Sequence, residues 1–248
     1  MDVADRAEPR PGAPKQEVEG RKGVPRLSGE IPRLSKGVPR LSENMETIIL
    51  ASASEQRRAF LELMGLPFKV IPSNLEENLD TSLDLHLALE KLAMEKAKKV
   101  SQTLKITEKT WVLGADTVIF LNNEVFGKPQ NREHARQMLF SMQGQTHEVI
   151  TAIALINEAK NILDCCFVVS SVAFSSMTET EIQWYLDTNE WQGAAGAYKI
   201  QGLASCFISK INGSYSSIVG LPLNEFYAML KRNSYPFDRV GCGRYPKS

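Results

Sequence analysis

Three copies of one seven-residue unit precede everything else in this chain that could fold: Val24-Pro25-Arg26-Leu27-Ser28, Ile31-Pro32-Arg33-Leu34-Ser35 and Val38-Pro39-Arg40-Leu41-Ser42. A period of seven invites a coiled coil, but the proline in each copy removes a backbone donor and blocks a continuous helix. Each copy carries one apolar pair, too little surface to offset the entropy of ordering the segment. Six of the twelve prolines in the 248 residues fall before Met45. The repeat therefore predicts a disordered extension over residues 1–44 and confines the fold to the chain beyond it. Met45 lies two residues before the first strand-like run, so translation is expected to begin there, with the repeats a read-through of repeated DNA. The alternative is a basic docking tail, although Lys and Arg number only nine there against seven acids.

From Thr47 onward, short apolar runs of strand type alternate with helical periodicities. Thr47 to Ala51 reads as a buried strand, followed by Ser54 as an N-cap with Glu55 at the first helical position. Ala59, Phe60, Leu63 and Met64 give that helix its apolar face, and Gly65 can close it. Phe68 to Ile71 is a second strand. A longer helix runs from about Asp84, with Leu85, Ala88, Leu89, Leu92, Ala93, Lys96, Ala97 and Val100 recurring at three and four. Trp111 to Leu113 is a strand that runs into a corner at Gly114-Ala115-Asp116-Thr117. Val118 to Leu121, Asn122-Asn123 and Glu124 to Phe126 read as a hairpin. Asn131 caps a helix closing at Gly144, and Thr146 to Asn157 and Ile162 to Ser175 are two long strands. Thr178 and Glu181 form a capping-box pair for a helix ending near Thr188. Asn212-Gly213 predicts a second hairpin between Phe207–Ile211 and Ser214–Val219, and Pro222 opens a last helix ending near Asn233. Interleaved strands, helices and hairpins predict one α/β domain with a mixed, partly antiparallel sheet flanked by helices. It spans 46–233, between the extension and a C-terminal tail at 234–248.

Charge narrows the function. Basic and acidic residues both number 29, so bulk charge is not available to hold a nucleic acid polymer. An anionic ligand must be held by a few placed cations. The cysteines, Cys165, Cys166, Cys206 and Cys242, contain no C-x-x-C pair, which points away from a zinc site or dithiol redox chemistry. Cys165 and Cys166 are adjacent in an apolar run and would face opposite sides of a strand as small buried hydrophobes. No apolar stretch suits a signal peptide or a membrane span, so a soluble, cytoplasmic protein with no membrane partner is expected.

Four spots carry polar residues that a fold alone does not require. The turn Ala51-Ser52-Ala53-Ser54-Glu55-Gln56-Arg57-Arg58 combines small residues, a helix N-terminus and two arginines; it is either an anion site or a capped helix with solvated arginines. Glu76-Glu77 follows a strand, as loop acids or as ligands. Asp116 closes a very apolar strand, where a carboxylate needs a task as metal ligand, base or cap, and Gly127-Lys128-Pro129 follows shortly after. The run Gly193-Ala194-Ala195-Gly196-Ala197-Tyr198-Lys199-Ile200-Gln201-Gly202 is a mobile loop with an aromatic and an amide suited to a base or a sugar, or a plain flexible loop. His86, His134 and His147 lie in unrelated contexts, and neither a Ser-His-Asp set nor a G-x-x-x-x-G-K-[ST] loop occurs.

Leu50-Ala51-Ser52-Ala53-Ser54 with Arg57, Gly114-Ala115-Asp116-Thr117, Gly127-Lys128-Pro129 and Gly196-Ala197-Tyr198-Lys199-Ile200-Gln201-Gly202 together resemble the Maf family of nucleoside triphosphate pyrophosphatases. Gly144-Gln145-Thr146-His147 and the stretch from Asn212-Gly213-Ser214-Tyr215 to Val219-Gly220-Leu221-Pro222-Leu223 agree, so the likeness runs from about 46 to 233. It is closest to the branch acting on dTTP and UTP; the 7-methyl-GTP branch, or a nucleotide-binding regulator of septum formation with little turnover, are the rivals. The resemblance implies hydrolysis between the α- and β-phosphates, of normal or modified nucleotides, with a divalent cation, Mg²⁺ or Mn²⁺. It makes Asp116 the proton acceptor and, with Glu77, a metal ligand. Ser52, Arg57, Lys96 and Lys128 match phosphate-handling positions, and Gln56, Thr117 and Gln201 match positions that select the base. A homodimer is also implied. Where the family usually has Ser-Pro-Arg-Arg, this chain has Ser54-Glu55-Gln56-Arg57, and Ala194 stands where a lysine is usual. Loss of two cations from a site for a tetra-anion predicts weaker binding or altered base choice.

Overall fold

A computed structural model describes residues 46–237 apart from 77, 81, 106 and 108. The predicted extension at 1–44 lies outside the described residues. Among the described residues, seven strands form one mixed sheet: β1 (Thr47–Leu50), β2 (Phe68–Val70), β3 (Thr110–Leu121), β4 (Glu124–Phe126), β5 (Thr146–Asn157), β6 (Ile162–Phe174) and β7 (Ile208–Asn212). Their order is β2-β1-β3-β5-β6-β7, with β4 paired to β3 off that path. β1 is parallel to both of its neighbours, and every other pairing is antiparallel.

Among the described residues, six α-helices flank the sheet: α1 (Glu55–Met64), α2 (Leu85–Ser101), α3 (Arg132–Met142), α4 (Glu179–Asp187), α5 (Tyr215–Val219) and α6 (Leu223–Arg232). Their starts follow local chemistry. Side chains of Ser54, Asp84, Asn131, Thr178 and Ser214 each accept a backbone N–H from the first turn that they cap, and Thr178 with Glu181 completes the capping box. Gly65 ends α1 in the left-handed region. On one face of the sheet, Leu61 of α1 and Phe226, Met229 and Leu230 of α6 pack on Ile48, Leu50, Leu113 and Ile153. On the other, Leu89 and Ala93 of α2 lie on Val118, Ile150, Ala152 and Ala154. A third cluster joins α3 and α4 to the far ends of β3 and β5 through Met138, Leu139, Ile182 and Tyr185. The packed chain runs past residue 233, since Tyr235 is buried and its hydroxyl donates to the Glu46 carbonyl at 2.8 Å.

Two local expectations fail. No corner forms at Gly114-Ala115-Asp116-Thr117, because β3 continues through it from Thr110 to Leu121, paired with β5 from Val112 to Phe120. Gly114 serves close packing instead: a Cβ there would collide with the Ala93 carbonyl oxygen of α2. The Asn212-Gly213 hairpin is also absent. Gly213 takes φ +116°, but Ser214 then caps α5 by accepting from Ser217 N–H, and local capping overrides the turn signal. By contrast, Asn122 and Asn123 both adopt positive φ and close the β3–β4 hairpin as the sequence predicts. Cys165 and Cys166 do face opposite sides, one toward the α2 cluster and one toward the α6 cluster, though both are half-buried.

Candidate active site

The cavity arises where the sheet splits. β1 stays paired with β3 only as far as Leu50 and Leu113, and β4 joins β3 only from Ile119 onward. Between them, residues 114–118 have no strand partner on that side among the described residues, and a cavity of about 590 Å³ opens there. Such a gap beyond the carboxyl end of parallel strands is a usual place for a ligand. Ser52, Gln56, Arg57, Lys96, Asp116 and Thr117 line it. Lys128 and Gln201, from the Gly127–Pro129 turn and the Gly-rich run, line it as well. The structure thus brings together all the expected site residues that it describes; Glu77 lies outside them.

Asp116 and Thr117 are consecutive in a strand, so their side chains leave opposite faces. Asp116 projects toward α2, where Lys96 Nζ donates to its Oδ1 at 2.5 Å. Both side chains are almost fully withdrawn from solvent, at 5% and 8% exposed. The missing side chain of Gly114 lets α2 and β3 approach closely beside this pair: Lys96 lies between Ala93 and Ala97, the two residues nearest that glycine.

Thr117 projects to the other face and meets Arg57, a buried arginine on the first turn of α1. The guanidinium donates from Nε to the Gly220 carbonyl at 2.8 Å, from Nη1 to Ser52 Oγ at 3.0 Å and from Nη2 to Thr117 Oγ1 at 3.0 Å. One cation therefore ties the β1–α1 turn, β3 and the end of α5 into a single wall. Ser52 Oγ also accepts the Ser54 N–H at 3.2 Å. With two donors already upon it, Ser52 has its single proton left to give, which suits an acceptor-only phosphate oxygen. Behind Thr117 stands Thr151 on β5, fully buried, with Oγ1 at 2.9 Å from Thr117 Oγ1 and donating to the Ser217 carbonyl at 2.8 Å. No sequence motif marks Thr151 or Ser217; a lone hydroxyl in the apolar run Val149-Ile150-Thr151-Ala152-Ile153 is the one signal available.

The middle of the Gly-rich run, from Gly196 to Tyr198, is packed and not open. Ala195–Ala197 makes a 3₁₀ turn with Gly196 at φ +63°, where a Cβ would collide with Ile119 Cδ1. Gly196 N–H donates to the Gly127 carbonyl at 2.9 Å, so the run is fastened beside Lys128. Tyr198 is buried, with its hydroxyl 2.8 Å from His147 Nε2 and its ring edge-on to His147 and Phe174. Burial pushes the His147 imidazole down to about 4, leaving it neutral at pH 7, and pushes the Tyr198 phenol up.

For a metal, the described part of the cavity offers one buried carboxylate, Asp116, with hydroxyls around it; no group of three or more His, Cys, Asp or Glu converges among the described residues. That set does not suit zinc, but Mg²⁺ is commonly held by one or two carboxylates, with water and substrate phosphates completing its shell. No helix among the described residues is long and apolar enough to cross a membrane.

Residues 47–233 match the family model described as Maf-like protein. A dTTP/UTP pyrophosphatase of Escherichia coli K12 is 45% identical over 187 residues, covering 75% of this chain and 92% of that protein. A nucleoside triphosphate pyrophosphatase of Shigella flexneri is 44% identical over the same length, with the same coverage. Among solved structures, the Ham1 protein of Staphylococcus aureus aligns over 52% of this chain and 71% of its own, at 14% identity and a TM-score of 0.35.

Proposed function

The chain belongs to the Maf family, and we propose on that ground that it hydrolyses dTTP and UTP to the nucleoside monophosphate and pyrophosphate. The observation that carries this reading is the joining of two polar systems in one cavity: the Lys96–Asp116 pair on one face of β3 and the Arg57-centred wall on the other. The first suits the scissile anhydride, and the second suits the phosphate chain and the base.

Asp116 takes the proton of the attacking water. Lys96 fixes the orientation of the Asp116 carboxylate, so that the other oxygen is the one turned to solvent or ligand. Ser52 donates its remaining proton to a phosphate oxygen, Lys128 supplies a second cation, and the N-terminus of α1 favours negative charge at the Ser54–Gln56 turn. Gln56, Thr117 and Gln201 select the base. Asp116 would hold a divalent cation, with Glu77 as the second carboxylate that the family likeness suggests. When bound, Mg²⁺ or Mn²⁺ neutralises charge growing on the phosphate oxygens. Glu55 and Gln56, at the turn where cations are usual, line the cavity and reduce its positive charge.

Pyrophosphate release over a panel of dTTP, UTP, CTP and 7-methyl-GTP, with Mg²⁺ or Mn²⁺, tests the reading. Fastest release from dTTP or UTP, with the monophosphate as co-product, is expected. Binding without release would favour a regulatory nucleotide binder instead, and 7-methyl-GTP as best substrate would move the chain to another branch.

A further inference from the structure

The hydrogens of the Thr117–Thr151 chain can be placed from its heavy atoms alone. Thr151 Oγ1 lies 2.8 Å from the Ser217 carbonyl oxygen and 2.9 Å from Thr117 Oγ1. A carbonyl only accepts, and two oxygens at 2.8 Å without a proton between them repel, so the single Thr151 proton lies on the Ser217 side. Thr151 can then meet Thr117 only as an acceptor, and the Thr117 proton points into the sheet toward it. On its other side, Thr117 Oγ1 accepts from Arg57 Nη2, which has only donors. With its proton committed and one lone pair taken, Thr117 can show the cavity nothing but its second lone pair.

We infer that Thr151 is a positioning residue for base choice: it locks the Thr117 hydroxyl as a pure acceptor facing the ligand. The inference rests on the proposed pyrimidine triphosphate substrate and says how the site would read it. Uracil and thymine carry an N3–H donor between two carbonyls, whereas cytosine has a bare N3 acceptor at the same place. A fixed lone pair pairs with the imide N–H and repels the cytosine nitrogen. An unlocked hydroxyl could turn its proton outward and serve either base. The discrimination is therefore made one strand away from the ligand, by a side chain with no exposed surface.

Thr151→Val keeps the side-chain shape and removes the lock. The Ser217 carbonyl retains the Gly220 N–H at 2.9 Å, so no buried acceptor is abandoned. Binding of UTP and of CTP is measured by calorimetry for the wild type, Thr151→Val and Thr151→Ser, with kcat/KM for both nucleotides alongside. The expected result is a fall of about tenfold or more in the UTP-over-CTP ratio for Thr151→Val, with Thr151→Ser retaining the wild-type ratio. A proportional loss for both nucleotides in Thr151→Val, or a Ser variant that behaves like the Val variant, would mean that Thr151 only supports the fold and would overturn the inference. If no nucleotide is turned over, the hydrolase reading fails, while the ratio of binding constants still decides the role of Thr151.

Discussion

Replacing Lys96 by Met would leave the Asp116 carboxylate in a pocket built for an ion pair. Both side chains are more than nine-tenths withdrawn from water, so solvent and salt screen the surviving charge poorly. Breaking one half of such a pair typically destabilises by about 3–5 kcal/mol, because the surviving charge stays desolvated and unpaired. For a domain of this size each kcal/mol shifts the midpoint by roughly 2–4 °C, so Lys96→Met is expected to melt roughly 6–20 °C below the wild type. Removing both charges removes the part of the penalty that belongs to this pair, and Lys96→Met with Asp116→Leu should recover part of the lost stability. Urea titrations of the two variants and the wild type, analysed with a shared m-value, give the free energies directly. A Lys96→Met variant within about 1 kcal/mol of the wild type would refute the buried-pair argument, as would a double variant no more stable than the single one.

Gly114→Ala should destabilise by at least about 1–3 kcal/mol in urea and lower turnover as well, since its Cβ would press on a carbonyl of α2 and displace Lys96 from Asp116. Wild-type stability would show that α2 has room to move. His147 gives a pH dependence of known sign. Its folded value, about 4, is below the unperturbed 6.5, so the unfolded chain binds the proton more tightly; the contribution is complete above 6.5 and is lost as pH falls toward 4. Between pH 7 and pH 5 the wild type should lose about 2 kcal/mol that His147→Phe does not, and equal losses in the two proteins would contradict a buried neutral imidazole.

Much of the fold was legible because its signals are local. Ser54, Asn131 and Thr178 mark helix starts by side chains that can reach only their own first turn, and Asn122-Asn123 tolerates the backbone that a two-residue hairpin needs. Two of the failures come from single glycines. Gly114 and Gly213 both look like turn residues. Gly114 is small because α2 packs directly upon it, a contact that no neighbouring residue announces, and Gly213 yields to the stronger cap at Ser214. The site divides in the same way. Residues carried by contiguous motifs, such as Ser52, Asp116 and Lys128, stand out in the sequence, and they do line one cavity. Thr151 does not, because its importance lies in a cross-strand partner and a carbonyl on α5, and neither is written in the residues around it.

The most direct test of the central claim is pyrophosphate release from UTP by Asp116→Asn in the presence of Mg²⁺, with UTP binding measured in parallel. If Asp116 is the proton acceptor, turnover should fall by about 10²–10⁴-fold while the variant still binds UTP. Turnover within a few-fold of the wild type would show that the cavity works by some other group and that the assignment of Asp116 is wrong.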